Sequence, residues 1–247
     1  MNKFFFDVDG VLCDTSCKID EDFKTWFLNW SIDKEYYLVT GGERQATIEQ
    51  IGIEIVERAK IGFHCMGNHI WIGDRDYKIN QFELKDIERL WLEEAVSNSI
   101  YHTKTGNHIE LRQGSINFSV VGRNATIEQR NEYLNWDNDT KERLTILQSF
   151  KKQFPRFDVY IGGNTSIDIC LRGANKSQVI NLIENYSKDD SYFFGDKCFF
   201  YGIDYPITAV MKNTFQIKKG LQIGVLLWSH SGSNQGPPVP IAIGRVS

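Results

Sequence analysis

Three consecutive apolar residues, Phe4-Phe5-Phe6, run directly into Asp7-Val8-Asp9-Gly10. An unbroken apolar run of this kind reads as a strand buried on both faces. Phe23, Trp26, Phe27 and Trp30 then recur at i, i+3, i+4 and i+7, the apolar stripe of a helix, and Asp20 stands where its N-cap belongs. Tyr36 to Val39 reads as a second strand, ending in Thr40-Gly41-Gly42. A helix is expected from about Glu43 to Ala59, with Ile48, Ile51, Ile55 and Ala59 inward. Strand, helix, strand, helix predicts a parallel α/β sheet. Ile61 to Ile72 reads as short strands interrupted by Gly62 and Gly67, and the polar turn Gly73-Asp74-Arg75-Asp76 is expected to be a hinge.

Beyond that turn the pattern changes. Phe82 to Val96 has helical spacing, with Ile87, Leu90, Trp91 and Ala95 inward. Ile109 and Leu111 alternate with Glu110 and Arg112, Gln113-Gly114 makes a turn, and Ile116, Phe118 and Val120 alternate with Ser115, Asn117 and Ser119. One apolar and one polar face describe a half-exposed antiparallel sheet. Thr126 to Gln129 has the form of a capping box, starting a helix near Ile127, and a second helix spans about Lys141 to Phe150. Two strands follow, 157–161 and 165–171, joined by Gly162-Gly163-Asn164, with Ser166, Asp168 and Cys170 on one face of the second. Gly173-Ala174 is the expected return hinge. Asn175 caps a helix beginning near Lys176 and carrying Val179, Leu182 and Ile183. Tyr192 to Phe194 is another apolar strand, ending in Gly195-Asp196-Lys197. Leu221 to Trp228 reads as a strand or a short helix, and Ser229 to Pro240 as a loose segment.

Composition narrows the classes. The 247 residues suffice for one large domain or two small ones. A net charge of −4 disfavours nucleic acid as the main partner, and 13% aromatic residues disfavour disorder. No run of about 18 apolar residues suggests a membrane span. One Lys followed by aspartates is not a signal-peptide pattern. Five scattered cysteines without a Cys-x-x-Cys imply a reduced, cytoplasmic protein without structural zinc.

The chemistry concentrates at strand ends. Asp7 and Asp9, two apart on a strand, share a face, and Gly10 lets the backbone turn away. Such a pair demands a cation or a shared proton. Val11 excludes a calcium loop of the EF-hand type, and an ordinary turn stays open. Thr40 can hold a phosphate oxygen or be a turn threonine. Asp196 and Asp204 can complete a metal shell. Arg112, Arg123 and Arg130 can form an anion site or be solvated surface residues, and Ser166 and Asp168 can meet sugar hydroxyls.

Taken together, Phe6-Asp7-Val8-Asp9-Gly10, Thr40, Lys176 and Gly195-Asp196-Lys197 with Asp204 resemble the motifs of the haloacid dehalogenase superfamily of phosphotransferases. Residues 111–123, Glu128-Gln129-Arg130, Thr165-Ser166-Ile167-Asp168 and Phe193-Phe194 extend the resemblance to the eukaryotic-type phosphomannomutase family. It covers about Asn2 to Tyr205. The resemblance implies an α/β fold: a Rossmann-like parallel-sheet core (1–76 and 174–247, with a tail of open role from about 218) and an inserted α+β cap carrying an antiparallel sheet (77–173). It implies Asp7 as nucleophile, Asp9 as general acid/base, and Thr40 and Lys176 as holders of the transferring phosphoryl group. Mg²⁺ would be held by Asp7, Asp196 and the Asp9 carbonyl, with Asp204 supporting that shell. Arg112, Arg123, Arg130, Ser166 and Asp168 would bind a hexose phosphate, with hexose 1,6-bisphosphate as activator. A phosphatase or a non-catalytic sugar-phosphate-binding protein are the alternatives. The family dimerises through the cap, where Trp91 and Trp136 would serve either the interface or the core. The chain departs from the family pattern at Val11, Ser16 and Tyr201-Gly202-Ile203, and from Thr208 onward.

Overall fold

The computed structural model describes residues 2–218. In chain order its elements are β1 (Lys3–Phe6), α1 (Glu21–Trp30), β2 (Glu35–Val39), α2 (Arg44–Ile51), α3 (Ile53–Arg58), β3 (Ile61–His64), β4 (His69–Ile72) and β5 (Arg75–Ile79). Then come α4 (Asp86–Asn98), β6 (Ile109–Arg112), β7 (Ser115–Phe118), α5 (Ile127–Thr140), α6 (Glu142–Gln153), β8 (Phe157–Ile161) and β9 (Ile167–Leu171). A 3-10 turn (Lys176–Leu182), β10 (Ser191–Gly195), α7 (Tyr205–Thr208) and β11 (Asn213–Gln216) complete the described chain. The reading of Leu221 to Trp228 and of the loose segment after it lies outside the described residues.

Seven strands form the core sheet in the order β11-β10-β1-β2-β3-β4-β5, parallel from β11 to β3 and antiparallel at β4 and β5. β1 lies at the centre of the five parallel strands, and its phenylalanines find aromatic partners: Phe5 stacks on Tyr37 at 4.6 Å and Phe6 on Phe194 at 5.1 Å. Helix α1 follows the expected stripe. Asp20 accepts from Phe23 N at 2.9 Å, and Phe23, Phe27 and Trp30 are buried. Since β10, β1 and β2 are parallel neighbours, the residues after them, Asp196, Asp7 and Thr40, share one edge of the sheet.

The second sheet is antiparallel, in the order β6-β7-β9-β8. Its apolar face packs with Leu92 and Val96 of α4, Tyr133 of α5, and Leu147 and Phe150 of α6. Its other face carries Glu110, Asn117 and Asp168, set opposite one another across β6, β7 and β9. Trp91 and Trp136 belong to the apolar packing, with Trp91 against Phe150 at 5.3 Å and Trp136 against Tyr101 at 5.1 Å.

Four local expectations change. Gly52, at φ +85°, ends α2 and starts α3, so the helix expected over 43–59 is two helices. The Gly73-Asp74 turn joins β4 to β5 as a hairpin, not a hinge, and the chain stays in the core sheet until Ile79, past Asp76. On α4 the buried positions are Glu88, Leu92 and Val96, whereas Ile87 and Leu90 are exposed. The Lys176 segment tightens into a 3-10 turn rather than an α-helix, with Lys176 and Val179 buried.

Candidate active site

β1 delivers Asp7 into the interior, where it is 4% exposed. Its N–H donates to Phe194 O at 2.9 Å, continuing the ladder, and its Oδ1 accepts from Val8 N at 2.8 Å. Its Oδ2 meets the fully buried Lys176 Nζ at 3.0 Å. That ammonium also donates to Asp204 Oδ1 at 2.7 Å, and Asp204 Oδ2 accepts from Lys197 N at 3.0 Å. The ligating atoms of Asp7, Asp196 and Asp204 all lie within 4.8 Å of one another. Gly10, at φ +76°, permits this closeness, because a Cβ there would stand 2.5 Å from Asp196 Oδ2.

The electrostatics match the crowding. Burial drives the Asp7 carboxyl well above the usual carboxylate range; Lys176 opposes this, and Asp204 and Asp196 add to it. Burial likewise pushes Asp196 up to about 6, against the ammonium of Lys197. Burial alone would lower the pKa of Lys176, but Asp204 and Asp7 outweigh it and hold the ammonium charged. Two of the three carboxyls are thus held back from ionising where hard oxygen donors converge, a donor set suited to Mg²⁺.

Asp9 stands apart from that cluster. Its Oδ1 accepts from Ser16 N at 2.7 Å and from Gln50 Nε2 at 2.8 Å. Thr40 is fixed by the end of β3: it donates to Phe63 O at 2.9 Å and its carbonyl accepts from Met66 N at 2.8 Å. Its Oγ1 accepts from Gly42 N at 3.0 Å.

Opposite these groups stands the polar face of the second sheet. Arg112, Arg123, Arg130, Ser166 and Asp168 line the same cleft, of about 430 Å³, as Asp7, Asp9, Thr40 and Asp196. Arg112 also ties the two halves together, donating to Gly41 O at 3.0 Å. Asp168 Oδ1 accepts from Asn117 Nδ2 at 2.8 Å, and Ser166 Oγ accepts from Gly163 N at 3.1 Å. Gly162 makes room for both acceptors; a Cβ would come within 1.8 Å of Asp168 Oδ2. Lys176 and Asp204 lie beneath the floor formed by Asp7. Sequence reading missed Glu110, Asn117 and Gln50. Strand alternation could have flagged the first two, since they share a face with Arg112 and Asp168. Gln50 sits on α2, and only the tertiary fold brings it to Asp9.

The family model for eukaryotic phosphomannomutase matches residues 39–217. The phosphomannomutase of Saccharomyces cerevisiae is 27% identical over 219 residues, 82% of this chain and 83% of its own. That of Spinacia oleracea is 28% identical over 213 residues, 83% and 85% of the two chains. A solved sugar phosphatase of haloacid dehalogenase subclass IIB superposes with a TM-score of 0.55 at 11% identity, covering 94% of this chain and 99% of that one, a likeness of fold. By sequence, and on a haloacid dehalogenase fold, the chain belongs to the eukaryotic phosphomannomutase family.

Proposed function

We propose that the chain is a Mg²⁺-dependent hexose phosphomutase, interconverting mannose 1-phosphate and mannose 6-phosphate. The observation that carries this is the two-sided cleft: an aspartate centre on the core wall and three arginines on the cap wall, with room for a sugar between. Two phosphate-binding walls suit a sugar that is phosphorylated at both ends during turnover. The relatives named phosphomannomutase support the substrate class.

In this reading Asp7 attacks phosphorus, and its new O–P bond forms as the bond to the sugar oxygen breaks. Asp9, oriented by Ser16 and Gln50, gives that oxygen its proton and takes one back when the other sugar hydroxyl attacks the aspartyl-phosphate. Thr40 Oγ1 steadies the transferring group, and Lys176 Nζ acts on it through Asp7, whose Oδ2 it holds at 3.0 Å. Asp7, Asp196 and the Asp9 carbonyl would hold Mg²⁺; both Asp204 oxygens are engaged by Lys176 and Lys197, so Asp204 supports the shell from outside. Bound there, Mg²⁺ would neutralise phosphoryl oxygens and relieve the repulsion among the acids. Dimerisation through the cap is part of the same reading, with Ile87 and Leu90 exposed on α4.

Phosphorus NMR of the protein with Mg²⁺, mannose 1-phosphate and hexose 1,6-bisphosphate tests the proposal. Mannose 6-phosphate is expected, with turnover lost on chelation and restored by Mg²⁺. Inorganic phosphate alone would make the protein a phosphatase that lets water take the place of the sugar hydroxyl. Unchanged resonances would make it a binding protein. Asp7→Asn should abolish turnover with an unchanged circular dichroism spectrum, and an active variant removes Asp7 as nucleophile.

A further inference from the structure

The three cap arginines are not equivalent. Arg112 is the most firmly held: its Nε and Nη2 donate to Glu110 Oε2 at 2.8 and 2.5 Å, and its Nη1 donates to Gly41 O at 3.0 Å with Asp168 Oδ1 at 3.7 Å. Arg130 turns inward on its own backbone, donating from Nε to Ala125 O at 3.0 Å and from Nη2 to Arg123 O at 2.5 Å. Arg123 is the one whose guanidinium makes no short hydrogen bond among the described residues. Its Nε faces Glu110 Oε2 at 3.5 Å, beyond a good hydrogen bond, and its side chain is 29% exposed against 10% for Arg112.

One oxygen, Glu110 Oε2, therefore serves two guanidinium groups unequally. The short contacts to Arg112 are charge-assisted and two-pronged, and the long contact to Arg123 is loose. Glu110 sits beside Asn117 in the row of side chains that ends at Asp168, and it lines the cleft. A carboxylate thus stands where an incoming anion would approach Arg123.

We propose that Glu110 is a positioning residue of the turnover cycle, the internal anion that Arg123 exchanges for a phosphate dianion while Arg112 keeps it. A singly charged ligand gains little over Glu110 at Arg123, whereas a dianion gains more, so the device selects phosphate over carboxylate sugars. The exchange makes and breaks ion pairs only. It rests on the mutase reading for its purpose. A hexose bisphosphate must release the cap arginines before its other phosphoryl group can reach Asp7. With Glu110 within reach, Arg123 passes from phosphate to carboxylate and is not left unpaired in the cleft.

Glu110→Gln keeps an acceptor for Arg112 and removes the charge facing Arg123. Calorimetric titration with mannose 6-phosphate should show binding about fivefold tighter than wild type. In steady state KM and kcat should fall together, the mark of a phosphate held too long. In an Arg123→Ala background, Glu110→Gln should leave affinity unchanged. Equal thermal midpoints of Glu110→Gln and wild type establish that the variant is folded. Weaker or unchanged binding by Glu110→Gln overturns the proposal, as does an effect that survives loss of Arg123. If the wild type only hydrolyses sugar phosphates, the mutase reading falls, while the affinity measurements still decide the exchange at Arg123.

Discussion

His64 gives the protein a pH dependence that belongs to a single side chain. It is fully buried at the end of β3, with Thr47 Oγ1 3.3 Å from Nδ1 and no partner for Nε2 among the described residues. Burial, aided by His69 and Arg44, pushes its pKa down to about 3. The unfolded chain titrates near ~6.5. Between those values the unfolded chain binds a proton that the folded one refuses, so stability is lost as pH falls through that window. The slope is about 1.4 kcal/mol per pH unit. Urea unfolding at several pH values should therefore show His64→Gln losing less stability than wild type between pH ~6.5 and ~5 by that slope. Parallel losses would mean that His64 is protonated in the fold. The residues after His64 adjoin the site, since Cys65 N and Met66 N donate to Gly42 O and Thr40 O. At this scale much of the site is legible in sequence. Asp7, Thr40 and Asp196 each follow an apolar strand, and a parallel sheet gathers such positions at one edge. Glu110 is not legible as a shared counter-ion, because that role depends on how β6 meets the loop carrying Arg123.

Helix α4 shows where element-level reading fails. Apolar spacing points to Ile87 and Leu90, yet both are exposed, and Glu88 is 2% exposed on the inward face. The reason is a pairing across the cap. Glu88 accepts from Arg156 Nε and Nη2, both at 2.7 Å, and its Oε2 also accepts from Lys85 N at 2.9 Å. Arg156 in turn lies over the Phe157 ring, its guanidinium carbon 4.5 Å from the centroid. A buried acid with partners this good outweighs the few apolar contacts Ile87 would gain, and a partner 68 residues away leaves no trace in local spacing. Glu88→Ala should cost about 1.5–3 kcal/mol, the scale of hydrogen bonds to a charged group. Urea unfolding reads this directly, and a loss below ~0.5 kcal/mol would mean that the pair is no better than a surface contact. Elements whose inward side is wholly apolar gave less trouble: the stripe on α1 lies as its spacing predicts, and Ile116 and Phe118 of β7 join the cap core, but Ser115 and Asn117 are buried as well, so this strand is not half-exposed as its alternation suggests.

The two sheets are joined by backbone where the sequence offers no sign of it. β8 is an edge strand of the cap sheet, and its end is extended by a core loop: Ile161 N donates to Tyr201 O at 2.7 Å, and Ile203 N donates to Ile161 O at 3.1 Å. Tyr201 holds a left-handed backbone at φ +71°, and a Cβ on Gly202 would lie 2.0 Å from Lys197 O. This loop ends at Asp204, the residue that anchors Lys176 beneath Asp7. Cap docking and the geometry of the aspartate centre therefore share one stretch of chain. With the Arg112 bond to Gly41 they form two neighbouring ties, since a Cβ on Gly41 would lie 2.8 Å from Ile203 Cδ1. A ligand that fills the cleft touches both walls and should strengthen both ties. Hydrogen exchange at the Ile161 and Ile203 amides is expected to slow together, by similar factors, when mannose 6-phosphate binds, while the β1 amides keep their rates. Gly202→Val, which drives a side chain into Lys197 O, should speed both amides and lower turnover in the same variant. Amides that respond independently would show that the Asp204 loop holds its shape without the cap.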